Sequence, residues 1–290
     1  MRLYVPNLNK EGFGGGNTFV RNYRKYTKHI LQDEVNKAEI MFVANPMWCE
    51  RSDFDVARIE GWKVVTRLDN IPEDWANRGT AISKLKDYLA WSDLIIYQSN
   101  LAKEKYQEFM ISNGITPKKE MVIYNGVDTE VFKPEGSNIE DDAHPRILYV
   151  KSSRNENKRY PEAMEIFRRY WQTNKKSKLL LVGQFADDIR TYNFGFYNGE
   201  NYQYYGIQPP EMMPMFYRSA DIFLFPAYAD CAPNCLIEAM ACGVVPIYHP
   251  YGGGIEYAGE YGVMLDQVED YQDLITQALD IDRKEMVDFI

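Results

Sequence analysis

Short apolar runs alternate with amphipathic stretches along nearly the whole chain, and this alternation most narrows what the sequence can fold into. It is the pattern of βα units feeding a parallel sheet, with helices covering both sheet faces. At 290 residues the chain suits two domains better than one core.

In the first half the predicted strands are Arg2–Val5, Glu39–Ala44, Lys63–Leu68, Asp93–Gln98 and Met121–Tyr124, with helices near Thr18–Leu31, Thr80–Trp91 and Leu101–Ser112. After Asn125-Gly126 the pattern lapses into a stretch with Pro, Gly and an acidic run that offers no core face. The expected division is therefore residues 1–126, a linker at 127–145, and a second series over 146–290. That series reads as strands Arg146–Val150, Lys178–Val182, Tyr202–Tyr205, Asp221–Phe225, Val244–Tyr248 and Gly262–Leu265. Its helices are Pro161–Thr173, Glu211–Arg218, Asn234–Cys242 and Asp270–Leu279. Two Rossmann-like domains on one linker are expected to share a ligand cleft at the carboxyl ends of their strands.

A formal charge of -9 argues against nucleic acid as the main partner, because such binding rests on clustered Lys and Arg. The basic stretch Arg21 to Lys28 has two readings, a contact for an anionic membrane or substrate and the wet face of a helix. No apolar leader opens the chain and no window has the length to cross a bilayer, so the expected location is cytoplasmic. The four cysteines, Cys49, Cys231, Cys235 and Cys242, sit in apolar or helical runs and read as reduced, packed thiols.

The chemistry concentrates between Asp221 and Pro246. An apolar strand ends at Pro226, a loop follows, and a helix opens near Asn234, so its first amides and positive dipole end form an anion site. Glu238 lies one turn in, where a carboxylate accepts two hydrogen bonds from adjacent hydroxyls such as those of a ribose. Asp230, eight residues earlier, reaches a different hydroxyl pair. The plainer reading of Glu238 is a first-turn acid that complements the dipole.

The segment Asp230-Cys-Ala-Pro-Asn-Cys-Leu-Ile-Glu238-Ala-Met-Ala-Cys-Gly243 resembles the E-x7-E signature of retaining GT-B glycosyltransferases, especially glycosyltransferase family 4. The resemblance extends through residues 124–134, 147–167 and 204–226. It implies an α/β GT-B fold of two Rossmann-like domains facing each other across a cleft. It implies that Glu238 binds the donor ribose, Asp230 contacts the transferred sugar, and the amides of Asn234, Cys235 and Leu236 hold the diphosphate. Asp at 230 is one methylene shorter than the family's Glu. Lys158 is implied as the phosphate-binding lysine, with Arg154 its candidate companion, and the backbone at Gly206 and Ile207 as the seat of the base. Solvated loop charge is the alternative for Lys158-Arg159.

Gly12, Gly14 and Gly16 are spaced G-x-G-x-G, unlike the dinucleotide fingerprint G-x-G-x-x-G, and glycine there lets a backbone amide approach a ligand. By the resemblance Gly15 and Gly16 lean over the donor phosphates and sugar. Arg67-Leu-Asp69-Asn70 and Gln98-Ser99 close two strands at carboxyl ends. They resemble the family's RLDG and QS segments and make Asp69 the candidate contact to the reacting sugar or acceptor, with a structural Asp-Asn turn as the other reading. Gly252-Gly253-Gly254-Ile-Glu256 resembles the family's GG-x-x-E turn with one extra Gly, and an ordinary flexible turn is its alternative. Glu140-Asp141-Asp142 reads as a solvated acidic loop and not as a metal site.

The expected activity is transfer of a sugar, with retention, from a nucleotide-diphosphate sugar to an acceptor hydroxyl on a glycan, lipid-linked or small-molecule acceptor. Neither cofactor nor metal is expected, because Lys158 and helix amides would neutralise the leaving diphosphate. Two rivals stand beside it: a GT-B-like epimerase, and a module that binds a nucleotide sugar without turnover. The segment Asp282–Ile290 is short for the helix that in the family returns to the first domain.

Overall fold

The computed structural model describes residues 2–6, 15–28, 30–31, 38–46, 49–68, 70–73, 81–151, 156–185, 200–266 and 270–290, the backbone alone at 15–18 and 81. They divide into two compact units, Met1–Asn125 and Gly126–Ile290. Among the described residues no helix is long and apolar enough to cross a membrane.

In the first unit β1 (Leu3–Tyr4), β2 (Ile40–Val43), β3 (Lys63–Leu68), β4 (Leu94–Tyr97) and β5 (Glu120–Val122) form one sheet in that order, all parallel. The helices are α1 (Gly15–Thr27), α2 (Arg51–Ile59), α3 (Ala81–Trp91) and α4 (Asn100–Ser112). Successive strand residues point to opposite faces, so Met41 and Val43 join Phe54, Val64 and Tyr88 on one side, while Phe42 and Ala44 join Leu3 and Val20 on the other. Phe54 and Tyr88 stack at 4.3 Å between ring centroids. Helix α2 is an element the hydrophobic period does not announce. Only Phe54 and Ala57 of its residues are buried, and it is held by the cap in which Glu50 N–H donates to Asp53 Oδ2 at 2.9 Å.

The second unit contains β6 (Arg146–Lys151), α5 (Tyr160–Thr173), β7 (Lys178–Gly183), β8 (Tyr202–Tyr204), α6 (Met213–Arg218) and β9 (Ile222–Phe225). It continues with α7 (Asn234–Ala241), β10 (Val245–Tyr248), α8 (Gly254–Ala258), β11 (Val263–Met264), α9 (Tyr271–Asp280) and α10 (Arg283–Phe289). Its sheet runs β11-β10-β9-β6-β7-β8, every strand parallel to its neighbours. All residues of β9 and β10 are buried, as a sheet covered on both faces demands. In α5, Tyr160, Ala163, Met164, Phe167 and Tyr170 recur at helical spacing and are buried. This is the expected α/β class of two Rossmann-like units.

The stretch 127–145, expected as a linker, belongs to the second unit. Phe132 enters that core, Ile139 N–H donates to Ser219 Oγ at 2.7 Å, and Arg218 Nε donates to the Ser137 carbonyl at 2.8 Å. Its polar composition hides these contacts because its partners lie some 80 residues away, at |i−j| of 80 and 81. The last helix, α10, is capped by Asp282 Oδ1, which accepts from the amides of Lys284 and Glu285, and it buries Met286 in the same core.

Candidate functional site

Strand order in the second sheet reverses between β6 and β9. The chain steps outward from β6 to β7 and β8, then returns to β9 on the other side of β6. Loops leaving the carboxyl ends of two such strands diverge and open a crevice, the place where ligands lodge in open α/β sheets. The first sheet, in simple sequential order, has no such reversal among its described strands.

Lys158 and Asp230 stand on the two loops that flank this point. Lys158 ends a 3-10 turn, Glu156–Lys158, whose backbone is pinned by Tyr149 Oη donating to the Lys158 carbonyl at 2.6 Å. Tyr228 N–H donates to the Asn157 carbonyl at 2.8 Å, tying the β9 loop to that turn. Across this link Lys158 Nζ lies 2.7 Å from Asp230 Oδ2, with side chains only 22% and 24% exposed, so the pair is partly shielded from water. The ammonium also sits 5.5 Å from the centroid of the Phe225 ring.

The Asp230 loop has a defined shape. Ala229 takes φ of 58°, and its N–H donates to the Tyr251 carbonyl at 2.9 Å. Gly253 N–H donates to the Asp230 carbonyl at 2.7 Å. A Cβ on Gly253 would fall 1.9 Å from the Cys231 carbonyl oxygen, and one on Gly252 would fall 3.2 Å from that of Asp230. The glycine run is therefore a seat into which the Asp230 loop is pressed, and its backbone approach leaves no room for a side chain. Glu256, half-buried, follows on α8.

Asn234 opens α7 directly after Pro233, as the sequence indicates. Leu236 N–H already donates to the Pro233 carbonyl at 3.0 Å, so of the three amides expected to hold a diphosphate this one is engaged within the helix turn. Glu238 Oε2 accepts a 3.0 Å hydrogen bond from Tyr217 Oη, a fully buried residue. Burial and the Glu238 carboxylate push the Tyr217 phenol well above its usual range, so it remains a neutral donor. The Cys235 thiol lies within the fields of Lys158, Asp230 and Glu238, which places those three around one helix end. Burial pushes its pKa up to about 12 against the opposing effect of Lys158, so Cys235 is a packed thiol and no nucleophile.

Gly206 and Ile207 follow β8 on the carboxyl edge of the same sheet. Gly206 has φ of +69° and accepts from Gly183 N–H at 2.8 Å, and Ile207 is 54% exposed. Arg154 and Asp69 lie outside the described residues. Gly15 and Gly16 form the start of α1. In the first unit Arg67 is buried, donates to the Ala44 carbonyl at 3.2 Å and to Asn125 Oδ1 at 3.0 Å, and stacks 3.6 Å from the Phe19 centroid. Asn125 Nδ2 donates in turn to Gln98 Oε1 at 2.9 Å, and Ser99 caps α4 through Ala102 N–H. Asp141 is tied to Lys178 Nζ at 2.7 Å, and among the described residues no three His, Cys, Asp or Glu gather as a metal site.

Four neighbours of the site escape sequence reasoning. Lys151, buried at the end of β6, holds its ammonium 5.9 Å from the Tyr160 centroid. Tyr228 stacks on Tyr251 at 4.7 Å and meets His249 edge-on at 5.2 Å. Their common signal is position, since each lies at or just beyond the carboxyl end of a strand.

Residues 133–290, more than half of the chain, match the family model for glycosyl transferases group 1. No curated protein matches the chain. Among solved structures, Anabaena HepE in complex with UDP-glucose superposes with a TM-score of 0.70 at 13% identity, covering 99% of this chain and 93% of that one. A UDP-forming α,α-trehalose-phosphate synthase from Burkholderia xenovorans gives 0.63 at 12% identity, covering 96% and 74%. A third, described as trehalose-6-phosphate from E. coli bound with UDP-2-fluoro glucose, gives 0.65 at 14%, covering 93% and 71%. At such identities the likeness speaks to the fold, which is GT-B. Together with the family match over 133–290, it establishes that the chain belongs to the glycosyl transferases group 1.

Proposed function

We propose that this glycosyltransferase moves a sugar from a nucleoside-diphosphate donor to an acceptor hydroxyl with retention, in the manner of family 4 and without a metal. The observation that carries the reading is the Lys158–Asp230 pair at the strand-order reversal. A donor diphosphate offers the ammonium a stronger partner than one carboxylate. When Lys158 turns to the phosphates, Asp230 is released to accept hydrogen bonds from sugar hydroxyls, so one exchange arms both contacts. Glu238 takes the ribose hydroxyls, with the Tyr217 hydroxyl fixing its orientation, and the amino end of α7 faces the diphosphate.

As the glycosidic bond breaks, negative charge grows on the diphosphate, and Lys158 stabilises it where it develops. The acceptor hydroxyl attacks from the same face, the front-face substitution that the resemblance to family 4 implies, in place of a double displacement through a carboxylate behind the anomeric carbon. Asp69 is assigned to the reacting sugar or acceptor, Gly15 and Gly16 to the donor phosphates and sugar, and Arg154 to the phosphates beside Lys158. Gly206 and Ile207 are assigned to the base, where the exposed Ile207 offers an apolar face. Because the related structures hold UDP-glucose and UDP-2-fluoro glucose, a UDP-sugar is the first donor to try. The acceptor is a glycan, lipid-linked or small-molecule hydroxyl, and the site of action is the cytoplasm.

Proton NMR of the protein with UDP-, GDP- and ADP-sugars, an acceptor panel and a chelator tests this reading. Donor consumption with a product of the donor's own anomeric configuration is expected. Inverted product, isomerisation of donor without transfer, activity abolished by the chelator, or no consumption of any donor would overturn it.

A further inference from the structure

A second cavity, of about 800 Å³, opens in the second unit at the amino ends of β6 and β9, the sheet edge opposite to Lys158 and Asp230. Five cationic side chains line it: Lys133, Arg146, Arg218, Arg283 and Lys284. Against them stand three carboxylates, Glu135, Asp221 and Asp288. This excess of positive charge occurs in a chain whose formal charge is -9.

Arg146 and Arg218 are half-buried, yet among the described residues neither guanidinium forms an ion pair within 4.0 Å; their hydrogen bonds go to backbone carbonyls. Arg146 Nη1 donates to the Ile139 carbonyl at 2.8 Å, and its Nε is buried with no hydrogen-bond partner. Arg218 Nε donates to the Ser137 carbonyl at 2.8 Å, and a Cβ at Gly136 would fall 2.9 Å from its Cζ, so the group is held in place by backbone. Arg283 has Asp221 at 3.4 Å, a carboxylate that His144 Nδ1 also approaches at 3.2 Å. Asp141 lies within the field of Arg146, but the hydrogen bonds of both guanidiniums go to neutral carbonyls, and half-buried cations so placed keep an attraction for an anion. Phe132, Pro134 and Val287 add an apolar wall, and the volume is that of a small-molecule site.

We propose that this cavity binds a phosphate-bearing small molecule, the phosphate between the Arg146 and Arg218 guanidiniums and the body of the ligand on the apolar wall. The site is separate from the donor site, which takes a diphosphate at the opposite sheet edge, and it does not depend on the transferase reading.

Amide-resolved NMR titration of the full chain with inorganic phosphate and with phenyl phosphate tests it. Saturable shifts are expected at Lys133, Cys242 and Gly243 with both probes, phenyl phosphate binding more tightly because of its ring. The shifts persist in Lys158→Gln, which removes the donor-site cation. They weaken roughly tenfold in the double variant Lys133→Gln/Lys284→Gln, whose exposed side chains carry no packing role. Arg218→Gln abolishes them, with the amide spectrum of each variant reporting that it is folded. Shifts confined to residues near Lys158, shifts indifferent to loss of both lysines, or no saturable shift at all would overturn the proposal.

Discussion

Lys158 Nζ and Asp230 Oδ2 meet at 2.7 Å, joining two loops 72 residues apart across the point where strand order reverses. Under the proposed function its members are redistributed onto the donor, which gives the pair a test. Lys158→Met is expected to lower kcat about 10²–10³-fold, the loss typical of one preorganised charge contact to a developing anion. The melting temperature should shift by no more than about 2 °C, since partly exposed pairs contribute little to stability. Steady-state kinetics beside a thermal melt checks both, and a large melt shift with unchanged kcat would make the pair structural.

Substitution separates the contact of Glu238 with Tyr217 from the nucleotide contact proposed for it. Glu238→Gln keeps an acceptor oxygen for the buried Tyr217 hydroxyl and should leave stability nearly unchanged, while nucleotide affinity falls by about tenfold or more as the charged acceptor is lost. Glu238→Leu strands that hydroxyl and should cost about 1–3 kcal/mol. Adding Tyr217→Phe should recover most of the stability and none of the affinity. Urea unfolding and calorimetric nucleotide titration across the cycle give the answer.

Two glycines should respond differently to the same change. Gly253→Ala places a methyl 1.9 Å from the Cys231 carbonyl oxygen, which only movement of the Asp230 loop can relieve, so activity should fall at least tenfold. Gly206→Ala meets nothing within 4 Å, and only its φ of +69° opposes the change, at about 1–2 kcal/mol. Comparable activity in the two variants would remove the glycine seat from the account.

His249 links the site to pH. Its Nδ1 accepts the Tyr251 N–H at 2.9 Å, which requires that nitrogen to be unprotonated. Burial, and next the charge of Arg159, lower its pKa below the ordinary 6.5. Between the folded value and 6.5 the unfolded chain holds more protons, so this contribution is complete above 6.5 and is lost as pH falls through the folded value. His249→Gln should flatten that part of the stability profile, measured by urea unfolding between pH 4.5 and 7.5 at steps of about half a unit. An unchanged slope would assign the acid sensitivity to other groups.

Much of the fold is legible residue by residue. Lys63–Leu68 is a strand as expected, and β6, β7, β9 and β10 begin and end within a residue of their expected limits. Each is a compact apolar run whose burial on both faces needs no knowledge of the partner. Helix α7 is legible because Pro233 and Asn234 mark its start before an apolar stretch. Helix α2 is not, since Phe54 and Ala57 are too few to set a period and only the Asp53 cap reveals it. Of the site, the acids and the lysine are named by their motif, but Asn125, Lys151 and Tyr217 are not, because ordinary residues become notable only when a strand end or a buried partner reaches them.

The amino-acid sequence by itself determined the βα alternation and the helix whose amino end opens at Asn234. Those follow from local period and capping, which act over a few residues. Tertiary structure alone decided that the second sheet reverses its order at β6 and β9, that 127–145 packs into the second unit, and that Lys158 finds Asp230. It also decided that Gly253 has no room for a methyl group and that two arginines share a cavity with backbone carbonyls as their hydrogen-bond acceptors. The reason is distance along the chain: such relations are fixed by which strands pair, and packing settles that pairing between segments whose local patterns are alike.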